Sequence, residues 1–328
     1  MTASPHRLQY GHGIHAIDAG YQRPMLAAIH LVIEDGQAAL IDSGVNASVP
    51  SVMAVLAELG LPPSAVKWVM LTHVHLDHAG GAGLLLEHLP DARLTVHPRG
   101  APHMRDPSRL IAGTTAVYGE QATKALYGHI RAIDPERIVE TPDGARLTLG
   151  TREFEFIDTP GHARHHVCIV DHASQCVFTG DTFGLSYREL DHDGRQWVFP
   201  ATTPVQFDPH ELHRSIEAIR ARRPRAVYLT HFGEVREVDR KADDLHRLVD
   251  AHAGIAARAS ALADPLPAMV DELRALVLSE ARRQRCPLGE PALLALFKDD
   301  ITLNADGLLA YLERTRPRAQ PARDAGPG

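Results

Sequence analysis

Residues 72–81 read T-H-V-H-L-D-H-A-G-G, directly after the short apolar run 67–71 (K-W-V-M-L). His73, His75, Asp77 and His78 place four metal-ligand side chains within six residues. In an extended chain positions i and i+2 share a face, so His73 and His75 can chelate one ion. The chain then turns, and Asp77 and His78 point elsewhere, towards a second ion. Ala79, Gly80 and Gly81 are small enough to let the backbone turn closely there. Imidazole and carboxylate together suit zinc, iron or manganese. One histidine in a chain with 21 of them carries no message. Four donors at the end of a strand do.

On the N-terminal side, 29–34 (I-H-L-V-I-E) reads as a strand turned at Asp35-Gly36, with 38–41 as its partner. The apolar spacing of 49–59 is helical and stops at Gly60, with Pro62-Pro63 beyond. Residues 67–71 form a short buried strand, 72–80 a loop, 81–89 a helix and 93–97 another strand. Residues 98–136 hold mostly helical patterns with Pro and Gly breaks. Strand patterns return at 147–149, 153–157, 167–170 and 176–178, the last two forming a hairpin. Residues 208–222 are helical with Asp208 as N-cap before Pro209, and 226–229 form one more buried strand. Beyond Arg236 the patterns at 242–262, 269–283, 291–297 and 305–314 are helical. The expected organisation is a catalytic domain at 1–236, a helical C-terminal domain at 237–316 and a flexible tail at 317–328.

The chain has 328 residues, 44% hydrophobic and 23% charged, which excludes a disordered or fibrous protein. A net charge of −7 does not favour nucleic acid or an anionic membrane as partner. Cys168, Cys176 and Cys286 show no C-x-x-C spacing, and a reducing, cytoplasmic setting is expected. The first ten residues lack the pattern of a signal peptide. No run approaches 18 apolar residues, so no transmembrane helix is expected.

The H-x-H-x-D-H pattern after a short apolar strand resembles the signature of the metallo-β-lactamase superfamily. Other motifs of that family occur in its order: Asp42 in L-I-D-S-G, Thr159-Pro160-Gly161-His162, Asp181 in F-T-G-D and His231 in L-T-H-F-G. The resemblance spans roughly residues 12–236. It implies an α/β fold, a four-layer αββα sandwich with metals at one edge of two packed sheets, here followed by a C-terminal helical extension. It further implies that His73, His75 and His162 hold a first ion, that Asp77, His78 and His231 hold a second, and that Asp181 bridges both. Asp42 would orient a ligand histidine without binding metal. His166, four residues after His162, stands where relatives often carry another histidine. A polar loop without catalytic duty is the alternative for it and for His165. Two dications about 3.5 Å apart share one water and lower its pKa towards neutrality, giving a bridging hydroxide that attacks a carbonyl or phosphorus. Asp77 and Asp181 are then the catalytic carboxylates, with Asp77 placed to accept the proton of that water.

Such a fold hosts many reactions. Only about 50 residues separate Asp181 from His231, which leaves no room for the domain that family nucleases insert there. Asp181 argues against true β-lactamases, which generally carry Cys or Ser at the bridge. His75 argues against flavo-di-iron proteins, which replace it with Glu. What remains is glyoxalase II-like hydrolysis of a small thioester, lactone or other ester. The alternatives are iron-dependent oxygen or persulfide chemistry in the same site, and a non-catalytic ligand-binding module. Two divalent ions are implied, zinc first, with iron or manganese as alternatives. Tyr187, six residues after Asp181, Phe183 and Tyr21 are candidate substrate contacts, with core packing as the ordinary reading of each. The polar, Pro-rich stretch 97–109 is a candidate substrate loop. The expected partner is a small molecule, with no nucleic acid and no membrane, and the C-terminal helices offer a homodimer surface.

Overall fold

A computed structural model describes residues 6–202 and 205–316; the tail expected at 317–328 lies outside the described residues. Seven strands form the first sheet in chain order: β1 (Arg7–Gln9), β2 (Ile14–Asp18), β3 (Ala28–Glu34), β4 (Gln37–Ile41), β5 (Val66–Met70), β6 (Arg93–Val96) and β7 (Ile138–Glu140). β1 to β4 pair antiparallel and β4 to β7 pair parallel. The parallel crossovers are made by α1 (Val49–Glu58), by the short α2 (Leu76–Ala79) with α3 (Ala82–His88), and by α4 (Ala101–Arg105), α5 (Ser108–Tyr118) and α6 (Glu120–Tyr127).

The second sheet holds β8 (Arg146–Leu149), β9 (Arg152–Asp158), β10 (Val167–Asp171), β11 (Cys176–Gly180), β12 (Ala226–Leu229) and β13 (Gly233–Val235), in the order β13-β12-β11-β10-β9-β8. Its pairs are antiparallel except β11 with β12, which are parallel and joined through α7 (Pro209–Ala221). Asp208 caps α7, its carboxylate accepting from the backbone N–H of His210 and Glu211. The chain ends in α8 (Val238–Ala259), α9 (Leu266–Gln284), α10 (Glu290–Leu296) and α11 (Lys298–Thr315).

Side chains alternate across each strand, and both faces of both sheets are covered. Val32, Ala39 and Met70 meet Phe156, Ile169 and Phe178 between the sheets. The opposite faces of the first sheet, Leu31, Leu40 and Val69, pack on Val52, Leu56 and Leu85 of α1 and α3. Val177, Val227 and Leu229 of the second sheet pack on Ile216, Leu248, Leu273 and Leu308 of α7, α8, α9 and α11. Burying each such Val, Leu, Ile, Phe or Met side chain contributes about 1.5–3 kcal/mol. The layers are therefore helices, sheet, sheet, helices, the expected αββα sandwich with helices following it. No helix of the described residues is long and apolar enough to cross a membrane.

Three local differences from the sequence expectation bear on the site. Asp77 and His78 stand on a helical turn, α2, where a loop was expected; the backbone N–H groups of His78 and Ala79 both donate to the His75 carbonyl. α11 starts at Lys298, seven residues before the periodic pattern does, because it packs against α8 and α9. Strands β1, β2, β7 and β13 lie outside the patterns read from the sequence. Three of them have only three residues, too few to show a period.

Candidate metal centre

The donors leave the sheets at one edge. Asp42 follows β4 and His73 follows β5, which run parallel. His162 follows β9, Asp181 follows β11 and His231 follows β12, all three pointing the same way. Gly180 makes the exit from β11. Its φ is +47°, and a Cβ there would lie 2.6 Å from His166 Nε2 and 2.7 Å from Thr72 Oγ1. Glycine alone fits this approach without displacing a neighbour.

Two donor groups result: His73, His75, His162 and Asp181 in one, Asp77, His78 and His231 in the other, each with ligand atoms within 4.8 Å of one another. Asp181 faces both. Its Oδ2 lies 3.4 Å from His162 Nε2, while its Oδ1 lies 3.3 Å from His78 Nε2 and 3.6 Å from His231 Nε2. Asp77 Oδ2 stands 3.3 Å from His231 Nε2 and 3.6 Å from His78 Nε2. His75 presents Nδ1 to the cluster, 3.0 Å from His162 Nε2.

The far sides of three of the five rings are anchored on carbonyl or carboxylate oxygens. His78 Nδ1 donates to Asp42 Oδ2 at 2.7 Å, His162 Nδ1 to the Ala201 carbonyl at 2.9 Å and His231 Nδ1 to the Leu26 carbonyl at 2.8 Å. A proton held on Nδ1 leaves the Nε2 lone pair for the cluster. Asp42 is itself held by the Thr72 backbone N–H at 2.8 Å and the Thr230 hydroxyl at 2.9 Å. His166 belongs to neither donor group, though its ring stacks on His73 with centroids 4.9 Å apart. Its Nδ1 meets the hydroxyls of Thr159 and Thr182, and its Nε2 accepts from the Asp181 backbone N–H at 3.2 Å.

The site fits divalent cations on the chemistry of its donors. His73 Nε2, His78 Nε2 and Asp181 Oδ1 are buried and have no hydrogen-bond partner among the described residues. Such groups are costly unless something occupies them. Burial pushes His73, His75 and His166 well below the ordinary imidazole range, with the crowding of neighbouring rings adding to it. Burial also works against the charged forms of His78 and His231, yet Asp181 and Asp77 hold His78 well above its usual value and bring His231 to about 9. Asp77 is held at about 2 by His78 and His231 despite its burial. The carboxylates thus stay ionised and draw positive charge to the cluster.

A cavity of about 510 Å³ has His75, Asp77, Asp181 and His231 in its lining. Of the candidate substrate contacts, Tyr21 and Tyr187 line it as well. Tyr21 Oη lies 2.7 Å from Tyr127 Oη. The Tyr187 ring carries the Arg23 guanidinium 4.4 Å from its centroid. Phe183 is fully buried among the side chains between the second sheet and the C-terminal helices, and the cavity lining does not include it. From the polar stretch 97–109, His103 and Arg109 reach the cavity. Asp299 and Asp300 of α11, with Tyr118 and Tyr127, also line it and were not singled out from the sequence. The two adjacent carboxylates fall before the periodic part of α11, and nothing in their spacing tells a cavity wall from a solvated face.

A family profile described as the metallo-beta-lactamase superfamily matches residues 23–231. A metallo-beta-lactamase fold-containing protein of Sulfurisphaera tokodaii is 27% identical over 234 residues, covering 68% of this chain and 79% of that protein. A hydroxyacylglutathione hydrolase of Xanthomonas axonopodis pv. citri is 31% identical over 179 residues, 54% of this chain and 51% of the enzyme, so the match spans about half of that enzyme. The solved archaeal metallo-beta-lactamase superfamily protein from Sulfolobus tokodaii shares the fold, with a TM-score of 0.63 at 22% identity, over 92% of this chain and 99% of that one. Members of the matching family are mostly metal-dependent hydrolases that bind divalent ions. With the profile covering well over half of the chain, and two packed mixed sheets between helical layers, this protein belongs to the metallo-beta-lactamase superfamily.

Proposed function

We propose that the protein is a binuclear metal-dependent hydrolase of a small thioester, lactone or other ester. The observation that carries this reading is Asp181, whose two carboxylate oxygens each face one of two donor groups in the lining of an open cavity. His73, His75 and His162 would hold one ion and Asp77, His78 and His231 the other, with Asp181 available to both. Two divalent ions bound there, zinc by preference, would activate a water near neutral pH and polarise the substrate carbonyl.

The chain's own residues do the rest. Asp77 stays ionised and stands beside His231, placed to take a proton from the attacking water. Asp42 and the carbonyls of Ala201 and Leu26 keep three imidazoles turned to the cluster. His166 fixes the backbone of Asp181. Residues 1–236 provide this machinery, and the helical residues 237–316 wall the cavity through α10 and α11. Likeness to a hydroxyacylglutathione hydrolase supports a thioester among the candidate substrates.

The test is metal content of protein purified without added metal, read beside hydrolysis of a thioester and lactone panel. Two zinc or manganese ions per chain with turnover are expected. Two irons, oxygen consumption and no hydrolysis would replace this reading with redox chemistry. Tight ester binding without turnover in the metal-loaded protein would replace it with ligand capture.

A further inference from the structure

The cavity has an apolar wall that the fold leaves unfinished. α5 carries Leu110, Ile111, Ala112, Ala116 and Val117, yet none of its residues is buried. Leu110 and Ile111 touch only the margin of the core beneath the first sheet. Val117 is 43% exposed, and Val205, another lining residue, is 60% exposed. Among the described residues only Leu262 joins them as an exposed large hydrophobic side chain. Single exposed apolar residues are ordinary on a protein surface. Two in one cavity, with Leu185, Leu296 and Leu303 in the same lining, mark a binding surface.

The charges narrow what it binds. Asp299 and Asp300 line the cavity from α11. Its cationic side chains are Arg23 and Arg109, and Arg23 is already paired with Glu189 at 2.7 Å. Arg109 faces Asp106, so two already-neighboured arginines and two carboxylates in one lining do not build a site for a polyanionic carrier. The wall is suited to a neutral apolar chain, and the same cavity reaches Asp77, Asp181 and His231.

We infer that the substrate carries a linear apolar acyl chain that lies against α5 and Val205, with its ester or thioester end at the donor cluster. The reaction at that end rests on the hydrolase reading above; the binding of the chain does not. Each methylene moved from water to such a wall gives about 0.8 kcal/mol, about fourfold in affinity.

The experiment is calorimetric titration of the full chain as purified with straight-chain alcohols from butanol to decanol. A parallel arm measures turnover of an acetyl-to-decanoyl thioester series. Alcohol affinity is expected to rise about fourfold per methylene until the wall is filled. Val117→Asp, and separately Val205→Asp, are expected to weaken decanol at least tenfold. Both sites are solvent-exposed, so melting curves should confirm that the variants fold. Equal affinity for butanol and decanol, or decanol binding untouched in both variants, would overturn the inference. A concentration-dependent dimer that Val117→Asp dissolves, with no dependence on alcohol length, would assign the wall to a second copy of the chain and overturn it too. Length-dependent alcohol binding without turnover of any ester would keep the inference and remove the hydrolase reading. Turnover with one KM from acetyl to decanoyl, and length-independent alcohol binding, would do the reverse.

Discussion

Tyr187 donates its hydroxyl hydrogen to the Asp300 carboxylate, 2.9 Å from Oδ1 and 3.0 Å from Oδ2, and so ties the segment after Asp181 to α11 across 113 residues of chain. The pair lines the cavity beside the donor cluster. Phe297 stands 5.7 Å from the Tyr187 ring, and Arg23 stacks on it. Burial brings Asp300 to about 6 even though the Tyr187 hydrogen bond favours its ionised form. Burial, with Asp300 beside it, drives the Tyr187 hydroxyl well above the usual phenol range.

Asp300 should therefore make stability depend on pH with a defined sign. A carboxyl raised from 3.8 to about 6 keeps its proton in the folded chain while the unfolded chain has lost it. Its contribution is intact below pH 4 and declines as pH rises towards and through 6. The loss is at most about 3 kcal/mol. Asp300→Asn accepts the same hydrogen bond without titrating. Denaturant titrations at pH 4 and pH 7 should show wild type losing stability relative to the variant; identical pH profiles would contradict the assignment.

Asp42→Asn isolates the orientation of His78. Asp42 sits at φ +60°, a conformation that asparagine tolerates, so the backbone turn survives. The charge that holds the His78 Nδ1 proton is gone. Metal affinity or turnover should fall about 10- to 100-fold, the usual cost of losing such a partner. Zinc titration with wild-type affinity at both sites would count against it.

Asp181→Ala removes the carboxylate shared by the two donor groups. Metal content should drop below two per chain, and kcat/KM for the best ester should fall on the order of a thousandfold, the scale of losing one strong electrostatic contact. The circular dichroism spectrum should be unchanged, since the side chain packs into no apolar core. Full activity with two ions still bound would refute the bridging role.

Gly180→Ala puts a methyl group 2.6 Å from His166 Nε2 at a positive φ. Strain and crowding together should destabilise the fold by about 1–3 kcal/mol and loosen Asp181. A urea midpoint equal to wild type would show that β11 can leave its sheet another way.

The strands around the centre were legible for a physical reason. β3, β4, β10 and β12 are buried on both faces, so their sequences are short, mostly apolar runs bounded by turns. The α2 turn was hidden because it has only four residues, two of them the donors Asp77 and His78, too few to show a helical period. The early start of α11 was hidden for another reason: Lys298, Asp299 and Asp300 carry no apolar period, and the buried residues of the helix begin only at Ile301.

The sequence by itself determined the strand-and-turn context of His73, His75, Asp77 and His78, and the order of the motifs around His162, Asp181 and His231, because backbone period and local spacing act over a few residues. Tertiary structure alone decided that β5, β9, β11 and β12 end at one edge, so that one oxygen of Asp181 faces each donor group. It also decided that Asp300 holds Tyr187, that Phe183 stays in the core, and that α5 remains unburied beside the cavity. These are contacts between segments up to more than a hundred residues apart. They follow from how two sheets and their helical layers cover one another, a collective property of burial that no local pattern encodes.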